Sequence, residues 1–177
     1  MSGTLPGRLD WQPALNRPEL LAAPVTAYLQ RHELGCSVAE IDAGLADTAS
    51  FCAAYDVPLE LSANCVVVEG RRGESTTMAA CVVLATHRAD VNRTVRRHLD
   101  VRRISFANME AAVEATAMAY GGITPVGLPL GWPVLVDDAV AAQPWVVIGS
   151  GIRASKLVCP GAALAGLPGA TVLALRQ

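Results

Sequence analysis

Residues 64–85 narrow the choice of fold more than any other stretch. Asn64 to Val68 and Met78 to Ala85 are apolar runs rich in β-branched residues, and Glu69 to Thr77 (EGRRGESTT) is a polar, glycine-containing connection between them. Branched side chains suit a pleated surface and the glycine suits a turn, so the segment is expected to form an antiparallel hairpin.

The flanking segments supply both helices and strands. Arg17 to His32 carries Leu20, Leu21, Val25, Tyr28 and Leu29 near helical spacing, with Pro18 in the first turn and Pro24 able to kink or shift the start. Cys36 to Ile41 alternates like a short strand. Asp47 to Tyr55 is a helix with Asp47 and Thr48 as caps, ending before Val57-Pro58. Beyond the hairpin, Asp90 to Leu99 is a short helix capped by Asp90, Arg102 to Phe106 a strand, and Asn108 to Ala119 a helix capped by Asn108. Val134 to Val136, Trp145 to Ile148, Lys156 to Cys159 and Thr171 to Leu175 complete the strands. Strands outnumber helices and hairpins break any regular alternation, which predicts an α+β domain with a mixed, largely antiparallel sheet packed with helices. With 177 residues and no internal repeat or low-complexity linker, one domain over 17–177 is expected behind an irregular lead, 1–16.

Composition excludes several classes. A 52% hydrophobic content with 17% charge is the opposite of the disordered signature. The apolar runs stay short; Asp137, Asp138 and Pro144 interrupt Pro133 to Ile148, so no spanning helix and no membrane partner are expected. The first residues show no apolar segment behind a basic start, which predicts no export and a cytoplasmic protein. Five cysteines, at 36, 52, 65, 81 and 159, are widely spaced without a C-x-x-C pair and are expected to be reduced core residues. His32 and Cys36 are four apart, but His87 and His98 have no partner at ligand spacing, so no metal is expected. No cofactor is expected either.

Charge is unevenly placed. The net charge of -2 hides an excess of arginine from Arg88 onward, with six arginines between Arg88 and Arg103. Arg93, Arg96 and Arg97 are three and four apart and share one helix face, which suits either a phosphodiester backbone or plain solvation. Bulk basicity points to no nucleic acid, and DNA is not expected as a partner.

Three local motifs remain. Gly149-Ser150-Gly151-Ile152-Arg153-Ala154 matches G-x-G-x-x-A after a strand. The helix and later acidic residue of a dinucleotide site are missing, so it reads as a tight turn or a ligand-contacting loop. Asp137-Asp138 reads either as paired carboxylates for acid–base work or as loop organisation. Tyr120 to Pro129 (YGGITPVGLP) packs three glycines and two prolines into ten residues, which suits a rigid connection or a loop presenting backbone N–H groups to a carbonyl.

The order of these features resembles the YbaK / prolyl-tRNA synthetase-associated editing domain family, aminoacyl-tRNA deacylases, over roughly Val25 to Leu175. Gly121-Gly122-Ile123-Thr124-Pro125 is similar to the family's Gly-Gly-x-Ser/Thr-Pro loop. The strand ending at Asp137, the Gly149 to Lys156 turn, and Thr48-Ala49 with Val57-Pro58-Leu59-Glu60 ahead of a strand follow the family's order. The resemblance implies hydrolysis of the ester on a mischarged tRNA, in trans, with tRNA(Pro) bearing a small wrong amino acid as one substrate and an aminoacyl-tRNA synthetase as one partner. It implies that Gly121, Thr124 and Pro125 with Asn64 serve catalysis, and that Gly122, Ile123, Asp137, Gly151 and Lys156 bind substrate. Arg93, Arg96 and Arg97 would then meet tRNA phosphates.

One departure stands out. Many family members carry a lysine before Thr-Leu-Val at the start of a strand, whereas this chain has Asn64 there, or Ala63 if the register slips by one. The departure keeps open a non-catalytic module that binds a tRNA end or small ligand. Lys156 is the only lysine in the chain.

Overall fold

A computed structural model describes residues 3–177, and the first two residues of the expected N-terminal lead lie outside it. The hairpin is its spine. Strands β3 (Ala63–Arg72) and β4 (Ser75–Leu84) pair in register from Ala63↔Leu84 to Arg72↔Ser75. They run further into the polar segment than the apolar pattern suggests and close on a two-residue loop, with Gly73 in the left-handed region at φ +60°.

The remaining strands are β1 (Gln12–Pro13), β2 (Ser37–Glu40), β5 (Arg103–Phe106), β6 (Val134–Asp137), β7 (Val146–Gly149), β8 (Ser155–Cys159) and β9 (Ala170–Leu173). They form two sheets rather than one. A four-stranded antiparallel sheet runs β1-β2-β8-β7, and a five-stranded sheet runs β5-β3-β4-β6-β9. In the second sheet β6 lies parallel to both β4 and β9, with helix-containing crossovers between them as parallel neighbours require. The α+β class therefore stands with its strands divided. Strand β1 comes from the expected irregular lead and pairs Gln12↔Val38 and Pro13↔Ser37.

The helices are α1 (Ala23–Arg31), α2 (Thr48–Tyr55), α3 (Arg96–His98), α4 (Met109–Thr116), α5 (Asp138–Ala141) and α6 (Gly161–Ala165). Pro24 occupies the first turn of α1, where a missing N–H costs nothing, so the helix starts there while Pro18 heads a separate 3-10 turn. The Asp47 side chain accepts from Ser50 N at 3.2 Å, and Asn108 Oδ1 accepts from Glu110 N at 2.9 Å; both caps sit where the sequence puts them. Ala117 at φ +53° ends α4 before the expected Ala119. The expected helix from Asp90 is a wider turn, Val91–Val95, closed by Val95 N–H to Asp90 C=O at 3.1 Å and running into α3.

Both sheets are covered on both faces. Val38, Ile148 and Leu157 of the first sheet meet Val82, Val134 and Val136 of the second in the central core. Ala79, Cys81 and Val83 point the other way onto Val91 and Val95, while Val147 and Val158 pack under Phe51 and Cys52 of α2. Period-two alternation accounts for this sorting.

The cysteine expectation needs correction. Cys36 and Cys159 are joined by a disulfide, with Cα atoms 4.5 Å apart. The β2–β8 register Ser37↔Val158 places them directly opposite, a neighbourhood that 123 residues of separation conceal in the sequence. Cys52, Cys65 and Cys81 are free thiols.

Candidate functional site

The two sheets meet along β3, and the junction leaves a gap. Strand β5 pairs with β3 only from Val68 to Arg71, and Ala107 N–H closes that side on Val67 C=O at 2.9 Å. On the other side a bridge from Ser62, the residue before β3, reaches Val147 of β7. Ala85 N–H donates to Ser62 C=O, so by alternation Asn64 and Val66 exchange their backbone bonds with β4. The peptide groups of Cys65 consequently face the open edge. A cleft of about 510 Å³ occupies this gap, with Ala63 to Val67 as its floor and Ala46 to Thr48, Phe106, Tyr120, Gly121, Ile123, Gly149, Arg153 and Lys156 around it.

Asn64 is held in place from α2. Thr48 Oγ1 donates to Asn64 Oδ1 at 2.7 Å, which leaves the amide N–H₂ of Asn64 as the group free to donate. Opposite stands Lys156 on β8, 7% exposed, donating to Ala46 C=O at 2.9 Å with its ammonium 5.1 Å from the Phe51 ring centre. Burial pushes the Lys156 ammonium below its ordinary value, Arg153 pushes the same way, and Cys52 and Asp47 oppose them. Among the described residues no carboxylate pairs with it. Arg153 bonds Tyr120 C=O at 3.3 Å and Ala43 C=O at 3.2 Å, tying the loop before α2 to the loop after α4.

The glycine-rich loop is locked by backbone contacts. Gly151 N–H donates to Gly122 C=O at 2.7 Å and Ala119 N–H to Gly151 C=O at 2.8 Å. A Cβ on Gly149 would sit 2.5 Å from the Gly122 carbonyl oxygen, and one on Gly122 would sit 2.6 Å from that of Ile152. Gly121 adopts φ +83°, a conformation side chains resist. Gly121 and Ile123 line the cleft, and among the described residues neither donates its amide to another backbone group.

The structure thus brings Asn64, Gly121, Ile123 and Lys156 to one cleft, with Gly122 directly behind. Other expected residues lie elsewhere. Thr124 is fully buried, its hydroxyl without a partner among the described residues, and Pro125 borders a separate cavity of about 170 Å³ beside Tyr28 and Trp132. Gly151 is buried against Ala22, Val25 and Met118. Asp137 is remote from the cleft: fully buried at the end of β6, it accepts from Leu175 N–H at 2.8 Å and from Arg176 at 3.0 and 3.1 Å. Its neighbour Asp138 is exposed and bonds Arg176, whose guanidinium holds the Asp138 carboxyl below the usual range. The pair therefore anchors the C-terminal segment instead of facing a substrate. Arg93, Arg96 and Arg97 do share one exposed face, beside Asp100 and Val101.

Sequence reasoning missed Thr48, Arg153, Phe106 and the Cys65 peptide. Arg153 sits inside the quoted G-x-G-x-x-A turn, and a charge two residues after Gly151 is the signal the sequence offers. Burial pushes the Cys65 thiol above its ordinary range. Among the described residues, no three His, Cys, Asp or Glu side chains group as a metal site, and no helix is long and apolar enough to cross a membrane.

Comparison with known proteins gives these placements a context. No curated protein matches the chain in sequence. Among solved structures, a candidate trans-editing enzyme for prolyl tRNA synthetase superposes with a TM-score of 0.75 at 23% identity, covering 88% of this chain and 96% of that one. A hypothetical protein gives 0.77 at 19% identity, over 87% and 99%. The family model described as "Aminoacyl-tRNA editing domain" matches residues 42–167, which include every cleft-lining residue named above. The chain belongs to the aminoacyl-tRNA editing domain family, whose broad activity is deacylation of aminoacyl-tRNA.

Proposed function

We propose that the protein is a trans-acting deacylase that hydrolyses the ester of a mischarged tRNA in the cytoplasm, with tRNA(Pro) carrying a small wrong amino acid as its substrate and the synthetase that makes this error as its supplier. The observation that carries the reading is that one cleft is lined by Asn64, Lys156, Gly121 and Ile123, residues with side-chain or backbone N–H groups left to donate among the described residues.

An aminoacyl ester is already activated, so a site needs mainly to orient it and stabilise charge. Water adds to the ester carbonyl carbon, its oxygen charge is met by these donors, and the carbon–oxygen bond to the terminal ribose breaks as that ribose oxygen takes a proton. The neighbouring ribose hydroxyl and the bound water assist, which removes the need for a Ser-His-Asp set. Ala63, Ala112 and Ile123 give the cleft an apolar wall against which the side chain of the amino acid packs. Lys156 supplies an ammonium to a cleft in which Asn64 stands where relatives carry lysine. The exposed face of Arg93, Arg96 and Arg97 meets tRNA phosphates.

Purified protein incubated with a panel of misacylated tRNAs is expected to release the amino acid from at least one. No release above buffer on any of them overturns the proposal. The Asn64 departure favours one rival, a module that binds without hydrolysing, and release that appears only in Asn64→Lys would establish it.

A further inference from the structure

Phe106 is 66% exposed, an unusual position for so large an apolar side chain, and it borders both the cleft and a second groove of about 600 Å³. Asn64 and Val66 are shared by the same two hollows. The second groove in turn shares Asn92, Ile104 and Ser105 with a third, of about 570 Å³, whose walls carry Arg71, Arg96, Arg102 and Arg103. The three hollows therefore adjoin one another around the exposed edge of β5. From Arg103 to Phe106 the strand rises by about 10 Å.

Of the arginines on this path, Arg71 lies against Glu69 and the others have no carboxylate partner among the described residues. Arg8, Arg17, Arg71, Arg72 and Arg176 each lie against a carboxylate. Among the described residues none does so for Arg88, Arg96, Arg102 or Arg103. An exposed aromatic at the cleft mouth followed by unpaired arginines is the arrangement that holds a single strand of nucleic acid, with a base stacked on the ring and phosphates against the guanidiniums. A peptide partner of acidic character would use the arginines but would leave the exposed ring at the cleft mouth unexplained.

We propose that the hollows along the edge of β5 are the exit path for the single-stranded 3′ end of the RNA: the terminal nucleotides stack on Phe106 and the next phosphates lie against Arg102, Arg103 and Arg96. This rests on the deacylase reading for the identity of the RNA, and it moves the main phosphate contacts from the Arg93–Arg97 face toward β5.

The test measures binding without hydrolysis. A tRNA whose amino acid is joined by a non-hydrolysable amide, labelled for fluorescence anisotropy, is titrated with wild type, the triple variant Arg96→Ala/Arg102→Ala/Arg103→Ala, Phe106→Ala, and Arg8→Ala as a control. All are surface changes, and circular dichroism checks that each variant is folded. The triple variant is expected to weaken binding at least tenfold and to reduce the slope of log K against log salt by about 2, the loss expected for three phosphate contacts on a single strand. Phe106→Ala is expected to weaken it about 5- to 100-fold, and Arg8→Ala is expected to leave it unchanged. Equal affinities and salt slopes across the panel overturn the path, as does a triple variant that loses no more than the control. Absence of ester hydrolysis by a wild type that still binds with this pattern would instead sink the deacylase reading alone.

Discussion

Replacing Lys156 by methionine separates stability from chemistry. The side chain is nearly isosteric, and its ammonium has three donors, of which one is spent on Ala46 C=O at 2.9 Å. Losing that charged hydrogen bond costs about 1.5–3 kcal/mol. Removing a buried charge returns several kcal/mol of desolvation, so the two effects largely cancel. Lys156→Met should therefore stay folded, with a urea midpoint close to wild type. The two remaining donors have no carboxylate to satisfy among the described residues, and in the proposed reaction they meet the charge developing on the ester. Loss of one such donor costs about 10²–10³ in kcat. Single-turnover deacylation reads this directly, and adding Asn64→Lys to Lys156→Met is expected to recover part of the loss by restoring an ammonium from the β3 wall. Alkaline pH gives an independent sign. Burial lowers the folded pKa of Lys156 below its ordinary 10.5. Between those two values the unfolded chain holds the proton and the folded chain does not, so stability contributed by this group rises with pH while kcat falls. Both slopes should vanish in Lys156→Met. A variant that keeps kcat within threefold of wild type refutes the role given to Lys156.

Asp137→Ala should act on stability alone: it strands the buried Leu175 N–H and frees Arg176, at a cost of about 3 kcal/mol or roughly 6–12 °C in Tm for a chain of this size, with deacylation by the folded fraction unchanged. A kcat loss at temperatures where the variant remains folded would put Asp137 back in the site. The disulfide predicts three titratable thiols in the denatured, unreduced protein and five after reduction. Because it closes a loop of 123 residues, reduction or Cys36→Ser should lower unfolding stability by up to about 5 kcal/mol in urea; coincident curves with and without reductant would contradict this.

Local features were legible in the sequence because local physics sets them. The β3–β4 hairpin follows from β-branched runs around a glycine turn, and the caps Asp47 and Asn108 follow from side chains that satisfy free helix N–H groups. Register between distant strands has no such signature. Nothing in the period of Ser155 to Cys159 says that it pairs with Ser37 to Glu40, so neither the Cys36–Cys159 bond nor the division into two sheets could be read. The same limit applies to the site. Asn64 and the Gly121–Ile123 loop came from a linear motif, but Lys156 reaches the cleft only through the β2–β8–β7 pairing, and an apolar strand gives no hint that its lysine is buried. The sequence left two readings of Asp137 open for a related reason: its partners Leu175 and Arg176 lie close to the C-terminus, far along the chain from β6.

The seam between the sheets has a consequence for biogenesis. Asn64 belongs to the five-stranded sheet and Lys156 to the four-stranded one, and a bridge from Ser62, the residue before β3, to Val147 of β7 joins the two sides. The hairpin that forms most readily thus holds only one wall of the proposed reaction centre. The two walls of the proposed centre therefore come together only once β8, near the end of the chain, has docked against β2 and β7.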